Sequence, residues 1–202
     1  MKFWRIWLSR IWNLIKRYMV KMLKDGEDVK RENVFSYDFW EVFGISKEEA
    51  YKRMDKFFET EYFEGVMPVD GAQESIELLS KTNELHVITS RPISIKDKTK
   101  EWIERYFGKI FFGIYHTDEY SGFGRRTILD GKKTRKVEVC RELNVNVLIE
   151  DSLMNAVQCA QGRGIERVLL MNQPWNQDGR LPEKVKRVYG WNEIIEKIEE
   201  MN

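Results

Sequence analysis

From Pro68 onward, segments whose apolar residues have helical spacing alternate with short uninterrupted apolar runs. The runs that predict strands lie at 85–89, 110–116, 145–149 and 167–171. The segments with helical spacing lie at 70–80, 96–107, 135–143, 154–161 and 191–201. Such alternation is typical of a mostly parallel sheet with helices on both faces. The pattern therefore predicts an α/β core of three layers over residues 67–202.

An aromatic-rich stretch precedes this core and also has helical spacing. Ser46 followed by Glu49 forms a capping-box pattern, which marks the start of a helix. No catalytic constellation is visible here. Residues 25–66 are therefore predicted to form a small helical lobe, which either covers a site or is only structural.

The first 24 residues have a different character, because they contain seven Lys and Arg residues and no acid. At helical spacing, Trp4, Trp7 and the aliphatic residues share one face and most of the basic residues share the other. A basic amphipathic helix is predicted over 1–24. Packing of its apolar face on the protein's own core is the commoner fate of such a helix, and docking on an anionic membrane surface is the alternative. Arg5 and Arg10 interrupt any apolar signal region, which disfavours a secretory signal.

Composition narrows the classes of protein further. The chain has 202 residues and a net charge of +1, with 42% hydrophobic residues, which excludes a disordered protein and disfavours a binder of nucleic-acid polymers. No apolar stretch of about 20 residues is present, so no spanning helix is predicted. Cys140 and Cys159 are too few for a disulfide framework or a zinc site, and we expect a cytoplasmic protein. His86 and His116 are interpreted as structural.

Polar side chains follow two of the predicted strands. Thr89 and Ser90 follow one strand, Glu150 and Asp151 follow another, and Lys136 starts the helix that leads into the second. Ligands of open parallel sheets bind outside the carboxyl ends of the strands. Hydroxyls and an ammonium donate to phosphate oxygens, and carboxylates hold Mg²⁺. Each element alone has an ordinary interpretation, as a helix cap, a solvated turn or a solvated lysine, but together they predict a phosphate held beside Mg²⁺.

Several segments carry a resemblance to a known family: 34–40, 87–92, 136–140, 148–152 and 173–176. They resemble the haloacid dehalogenase-like (HAD) superfamily and, within it, the cytosolic 5′(3′)-deoxyribonucleotidases or type C nucleotidases, over about residues 30–180. The resemblance implies a HAD-like fold with a helical cap and Mg²⁺-dependent hydrolysis of nucleoside monophosphates through an aspartyl-phosphate. It also implies that Thr89 and Ser90 bind phosphate, that Lys136 steadies the phosphoryl group, and that Glu150 and Asp151 hold Mg²⁺.

The family's catalytic motif, an apolar strand ending in Asp-x-Asp, has no counterpart at the start of this chain. The first acidic residue is Asp25, which with Asp28 follows the basic segment. Asp70 is predicted to cap a helix and Asp130 to lie in a turn. We therefore expect phosphomonoester hydrolysis to be very poor. The alternative is a non-catalytic protein, which binds a nucleotide without turnover or docks on anionic lipid through residues 1–24.

Loss of that motif also removes a central strand, whose neighbours at 85–89 and 145–149 would need other hydrogen-bond partners. Each buried backbone group left unpaired costs about 1–3 kcal/mol. Three explanations stand side by side. The two strands close up directly, residues 1–12 supply a replacement strand, which their helical spacing disfavours, or the sequence is a truncated or mis-started form of a longer protein.

Overall fold

The computed structural model describes residues 34–117, 135–177 and 179–201, and the backbone of 2–4, 128–129 and 132–133. Its strands are β1 Lys2–Trp4, β2 Glu84–Thr89, β3 Gly113–His116, β4 Ile128–Leu129, β5 Lys132–Lys133, β6 Val147–Glu150, β7 Arg167–Met171 and β8 Val185–Val188. Its α-helices are α1 Phe39–Phe43, α2 Lys47–Phe57, α3 Glu61–Glu64, α4 Ala72–Ser80, α5 Lys96–Phe107, α6 Lys136–Glu142, α7 Leu153–Ala160 and α8 Trp191–Glu199. Short 3₁₀ turns span Ile93–Ile95 and Pro174–Asn176.

Six strands form one sheet in the order β3-β2-β1-β6-β7-β8, and every neighbouring pair is parallel. The order departs from the chain order at β1, which lies between β2 and β6. The predicted parallel sheet is therefore confirmed. β8 was not predicted, because Val185–Val188 is short and carries two charged residues between its valines. β4 and β5 form a separate antiparallel pair.

The predicted helix over 1–24 is wrong at its beginning. Lys2–Trp4 forms β1, with Phe3 opposite Leu85 of β2 and opposite Val147 of β6. Of the three explanations for the missing strand, the structure therefore supports a replacement from the first twelve residues. The physical reason is that a helical pattern is only a local preference, whereas the edges of β2 and β6 present unpaired N–H and C=O groups that β1 satisfies. Residues 5–33, which carry the rest of the predicted helix and Asp25 and Asp28, lie outside the described part of the chain, and so does Asp130 with its predicted turn.

The two faces of the sheet carry separate apolar layers, because successive side chains of a strand point to opposite sides. Val147 and Ile149 of β6 pack in the cluster that contains α4, α5 and α8. Leu148, which lies between them, packs in the cluster formed with α6 and α7, where Cys140 and Cys159 are both buried. This alternation confirms the arrangement of helices on both faces. Within the described ranges, no helix combines the length and apolarity needed to cross a bilayer.

The helices α1 to α3 lie in the region of the predicted cap and pack directly on the core. Phe57, Phe58 and Phe63 form a tight aromatic group within the larger apolar cluster. Ser46 accepts a hydrogen bond from the backbone N–H of Glu49 and so caps α2, as the capping-box pattern predicts. Two bonds join this region to α5, from Lys98 Nζ to the Phe58 carbonyl at 2.9 Å and from Trp102 Nε1 to the Val66 carbonyl at 2.7 Å.

Asp70 does not cap α4, contrary to the sequence prediction. The N-cap is Gly71, which has a φ of 76° and makes no side-chain cap bond. A φ in this range favours glycine over any residue with a Cβ. A Cβ built at Gly71 would also lie 3.4 Å from the Cβ of Trp191, at the start of α8. The turn before α4 therefore depends on the positive φ of Gly71.

Candidate active site

The loop that follows β2 holds the predicted phosphate-binding hydroxyls. The Thr89 hydroxyl accepts a hydrogen bond of 3.2 Å from the backbone N–H of Arg91, which turns the chain immediately after the strand. A hydroxyl that accepts in this way still has its own proton to donate. Ser90 is buried, although β2 ends one residue before it. The loop therefore places two hydroxyl side chains at the carboxyl end of β2, as predicted.

Arg91 ties this loop to the region of the predicted cap. Its guanidinium carbon lies 5.5 Å from the ring centroid of Phe63 in α3 and 5.3 Å from that of Trp102 in α5. Its backbone carbonyl lies 2.9 Å from Nδ1 of His116, and since a carbonyl only accepts, His116 is the donor. The backbone of the loop is thus held from the side of β3, and its charged side chain lies against two aromatic rings.

The loop that follows β6 holds the two predicted carboxylates, and both are buried. One oxygen of Glu150 accepts from the backbone N–H groups of Asp151 and Ser152, at 2.9 and 3.0 Å. The other lies 3.2 Å from Nζ of Lys136, the first residue of α6. The Glu150 carboxylate therefore points back at its own loop and at Lys136.

The ion pair between Lys136 and Glu150 is almost completely dehydrated. The side chain of Lys136 is 2% exposed and that of Glu150 is 0% exposed. Burial of two charges is expensive, and it is tolerated only where further hydrogen bonds satisfy the remaining atoms, as the two backbone donors do here. The ordinary interpretations of a solvated helix lysine and a solvated turn are therefore wrong for these residues.

The two loops lie at the same edge of the sheet. β2 and β6 flank β1 on either side, and all three run in the same direction. Two strand spacings, or about 10 Å, separate β2 from β6. Thr89 and Ser90 therefore lie at the carboxyl end of β2, and Lys136, Glu150 and Asp151 lie at the carboxyl end of β6, on the other side of β1. The carboxyl ends of the strands are the position where an open parallel sheet binds ligands.

Comparison with known proteins identifies the family. The sequence pattern of the family described as 5′ nucleotidase, deoxy (pyrimidine), cytosolic type C protein matches residues 11–119. The chain belongs to this type C nucleotidase family. The match includes Thr89 and Ser90 and ends before Lys136.

Individual relatives agree with this assignment. The protein named "Putative nucleotidase BH1399" of Halalkalibacterium halodurans is 29% identical over 171 residues, which cover 84% of this chain and 77% of that protein. The HAD-like hydrolase SP0104 of Streptococcus pneumoniae superposes with a TM-score of 0.66 at 13% identity, over 98% of this chain and 97% of the other. YfnB of Bacillus subtilis is a HAD-hydrolase whose structure is described as bound to magnesium. It superposes with a TM-score of 0.59 at 13% identity, over 98% of this chain and 97% of YfnB. The type C nucleotidase fold here is thus the three-layer α/β fold of the HAD-like superfamily.

The candidate site contains two buried carboxylates, and carboxylate oxygens are ligands that suit Mg²⁺. The described residues contain no cluster of three or more His, Cys, Asp or Glu side chains. Mg²⁺ in phosphate-handling sites is commonly held by one or two carboxylates together with water and substrate phosphate, so such a cluster is not required. Both oxygens of Glu150 already accept hydrogen bonds. To bind a metal ion, Glu150 would therefore have to use an oxygen lone pair that is not engaged in these hydrogen bonds.

The predicted site has two further parts whose roles the sequence did not indicate. Asn176 lies in the 3₁₀ turn after β7 and its side chain reaches the backbone of Asp151. Arg187 of β8 reaches Asn176 in turn. Asn176 belongs to the segment that resembles the family, but nothing in its spacing indicated a contact with Asp151. Arg187 was missed because β8 itself was not predicted.

Proposed function

We propose that the protein binds phosphomonoesters of the nucleoside monophosphate class together with Mg²⁺ and hydrolyses them only slowly. The observation that carries this proposal is the dehydrated Lys136–Glu150 pair beside the buried Asp151. Membership of the type C nucleotidase family supports the substrate class. The combination of a buried cation, a buried carboxylate and two hydroxyls matches what a phosphate and a hard divalent cation require.

Each side chain has a defined task in this proposal. Thr89 and Ser90 donate hydrogen bonds to phosphate oxygens, and Lys136 supplies a positive charge that balances the phosphoryl group. Glu150 holds Lys136 in place and, with Asp151, provides the carboxylate oxygens for Mg²⁺. A bound Mg²⁺ would neutralise charge on the phosphate and polarise its oxygens. All these groups bind and orient the phosphate, and none of them attacks it.

Slow turnover is proposed because the sequence offers no carboxylate in the position where the family has its nucleophile. β1 occupies the centre of the sheet, and the five residues that follow it in the sequence are Arg5, Ile6, Trp7, Leu8 and Ser9. None carries a carboxyl group, and the first acidic residue is Asp25. Without a nucleophilic side chain, hydrolysis would depend on direct attack by water. Such a reaction is slower, because it is not divided into two easier steps through a covalent intermediate.

The test measures binding and turnover separately on the full chain. A panel of nucleoside and deoxynucleoside monophosphates is assayed for phosphate release with and without Mg²⁺, and for binding by calorimetry. We expect Mg²⁺-dependent binding together with turnover well below the enzyme median of about 10 s⁻¹. Asp151→Asn should lose the Mg²⁺-dependent binding, whereas the matched control Asp97→Asn, an exposed residue of α5, should retain it.

Two outcomes would contradict this proposal in different ways. Turnover at ordinary enzyme rates that Asp151→Asn abolishes would show that a nucleophile exists, and Asp25, Asp28, Asp70 and Asp130 would then be replaced in turn. Absence of both binding and turnover in the folded protein would refute the phosphate site itself. Tight binding without any turnover would support a non-catalytic role for the same site.

A further inference from the structure

The turn after β7 makes a contact with the Asp151 loop that binding of phosphate does not require. Asn176 is completely buried, and its side-chain nitrogen donates to two backbone carbonyls, that of Asp151 at 2.9 Å and that of Met171 at 2.8 Å. Its side-chain oxygen accepts from the backbone N–H of Gln173 at 3.1 Å and from Arg187 at 2.6 Å. One side chain therefore connects the end of β6 to the end of β7.

The orientation of the Asn176 amide follows from its partners. The carbonyls of Asp151 and Met171 can only accept, so they must face the NH₂ group. The Gln173 N–H and the Arg187 guanidinium can only donate, so they must face the oxygen. All four hydrogen-bonding positions of the amide are thus used. A residue with any other arrangement of donors and acceptors would leave at least one of these buried groups unsatisfied.

The peptide units on both sides of Asp151 are held by these contacts. The N–H groups of Asp151 and Ser152 donate to Glu150. The carbonyl of Asp151 accepts from Asn176 and also from Trp175 Nε1, at 3.2 Å. Because the backbone torsions of a residue set the direction of its Cβ, fixing both peptide units restricts where the Asp151 carboxylate can point.

Arg187 supports Asn176 from the solvent side. Its two terminal nitrogens donate to the side-chain oxygen and to the backbone carbonyl of Asn176, at 2.6 and 2.7 Å. One of them also lies 3.2 Å from the side-chain oxygen of Asn172. The planar guanidinium suits such a two-point contact, because its donors have a fixed geometry. The edge strand β8 thereby stabilises a loop that lies two strands away, at the end of β6.

We propose that Asn176 is a positioning residue of the metal site, which aims the Asp151 carboxylate by holding the Asp151 carbonyl. This inference rests on the proposed function, because it assumes that Asp151 is a metal ligand. Residues that orient metal ligands commonly change metal affinity by about 10- to 100-fold when they are replaced. Asn176→Ala should therefore weaken metal binding by a factor in that range, without removing any atom that touches the metal.

The test measures binding of Mn²⁺, an oxygen-preferring ion whose free form is quantified by electron paramagnetic resonance. The full chain, Asp151→Asn, Asn176→Ala and Gln177→Ala are titrated at a temperature far below their metal-free melting points. Gln177 is the matched control, because its side chain bonds Asn172 and the Gln173 carbonyl in the same turn, reaches the side-chain oxygen of Asn176 at the long distance of 3.5 Å, and makes no hydrogen bond to Asp151. We expect Asn176→Ala to bind about 10- to 100-fold more weakly than the full chain, and Gln177→Ala to bind within about twofold of it.

The design separates three outcomes that would overturn the inference. Binding that depends on Asp151 but is unchanged in Asn176→Ala would refute the positioning role and leave the proposed function intact. Equal weakening in Asn176→Ala and Gln177→Ala would show that the whole turn is merely structural. Equal binding, or none, in the full chain and Asp151→Asn would refute the metal site of the proposed function and with it this inference.

A second variant covers the case in which Asn176→Ala does not fold. Trp175→Phe keeps an aromatic side chain at this position and removes the Nε1 donor to the Asp151 carbonyl, together with part of the buried ring system. It should weaken Mn²⁺ binding measurably relative to the full chain but by less than about 10-fold, because the bond from Asn176 remains. The spectrum of bound Mn²⁺ gives a further readout, since a change in ligand geometry alters it whereas a loss of stability alone does not. An unchanged affinity and an unchanged spectrum in Trp175→Phe would count against the inference.

Discussion

Removal of the charge on Lys136 tests the most unusual energetic feature of this protein. In Lys136→Met the carboxylate of Glu150 stays buried, with its two backbone donors but without its cation. Breaking a buried ion pair from one side costs about 3–5 kcal/mol, because the remaining charge is left uncompensated in a dehydrated place. We therefore expect Lys136→Met to lower the free energy of unfolding by an amount in that range.

A double-mutant cycle isolates the pair from other effects of the substitution. Glu150→Gln keeps an oxygen for the two backbone donors and leaves Lys136 without its anion. The double variant has no charge at either position, so it should lose much less than the sum of the two single variants. This difference is the coupling energy of the pair, and it should reach the upper part of the range of about 0.5–3 kcal/mol that residues in contact show.

Lys100→Met is the matched control, because Lys100 pairs with Glu104 at 3.8 Å on the solvent face of α5, where it is 62% exposed. That pair should contribute about 0.3–0.5 kcal/mol.

The assay is urea unfolding at pH 7 without metal, monitored by tryptophan fluorescence and by circular dichroism. If the two probes give the same transition and the variants share the same urea m-value, each variant unfolds between the same folded and unfolded states, and their free energies of unfolding can be compared. A loss in Lys136→Met as small as that in Lys100→Met would refute the argument that the pair is dehydrated. Additive effects in the double variant would refute the direct contact between Lys136 and Glu150.

Three smaller predictions concern stability and thiol reactivity. Ser46→Ala should cost about 1 kcal/mol in urea unfolding because α2 loses its cap, and an unchanged value would contradict that cap. Phe57→Ala should cost about 3–5 kcal/mol because the ring is fully buried, and a loss below about 1 kcal/mol would contradict its packing. A hydrogen bond with Cys159, together with burial, raises the pKa of the Cys140 thiol. A thiol reagent at pH 8 should therefore label the folded chain far more slowly than the chain in urea. Because the thiol ionises in the unfolded chain before it does in the folded one, the stabilisation from the protonated Cys140 thiol is complete below about pH 9 and falls above it. The free energy of unfolding should therefore fall more steeply with pH in the full chain than in Cys140→Ala. Rapid labelling of the folded chain, or equal slopes, would contradict the burial of this thiol.

The apolar spacing along the sequence was sufficient to predict most of the core. The predicted helix over 96–107 and the predicted strand over 167–171 coincide with α5 and β7. Other predicted elements differ from the observed ones by a few residues at their ends. This agreement has a local cause, because a helix or strand that buries one face must repeat apolar residues at its own period. The same locality explains why Thr89 and Asp151 were correctly expected at strand ends, since each directly adjoins an apolar run.

Local reasoning failed where the preference of a segment and its environment disagree. Lys2–Trp4 belongs to a stretch with helical spacing, yet the open edges of β2 and β6 make strand pairing the better choice for its backbone. Asp70 is a residue type that favours N-caps, yet the cap of α4 is the neighbouring Gly71, whose left-handed backbone torsion sets the turn.

What the sequence determined by itself is thus most elements of the core other than β1 and β8, the superfamily resemblance and the side chains available at the ends of β2 and β6. Only the tertiary structure decided that Lys136 is dehydrated, because its partner Glu150 lies fourteen residues away on another element. The same holds for the bond from Asn176 to the Asp151 carbonyl, which joins positions 25 residues apart. Periodicity records which face of an element is buried, but it carries no information about which distant polar groups meet there. That is decided by the order of the strands, which places β1 between β2 and β6, so that the candidate residues at the carboxyl ends of β2 and β6 lie on either side of it.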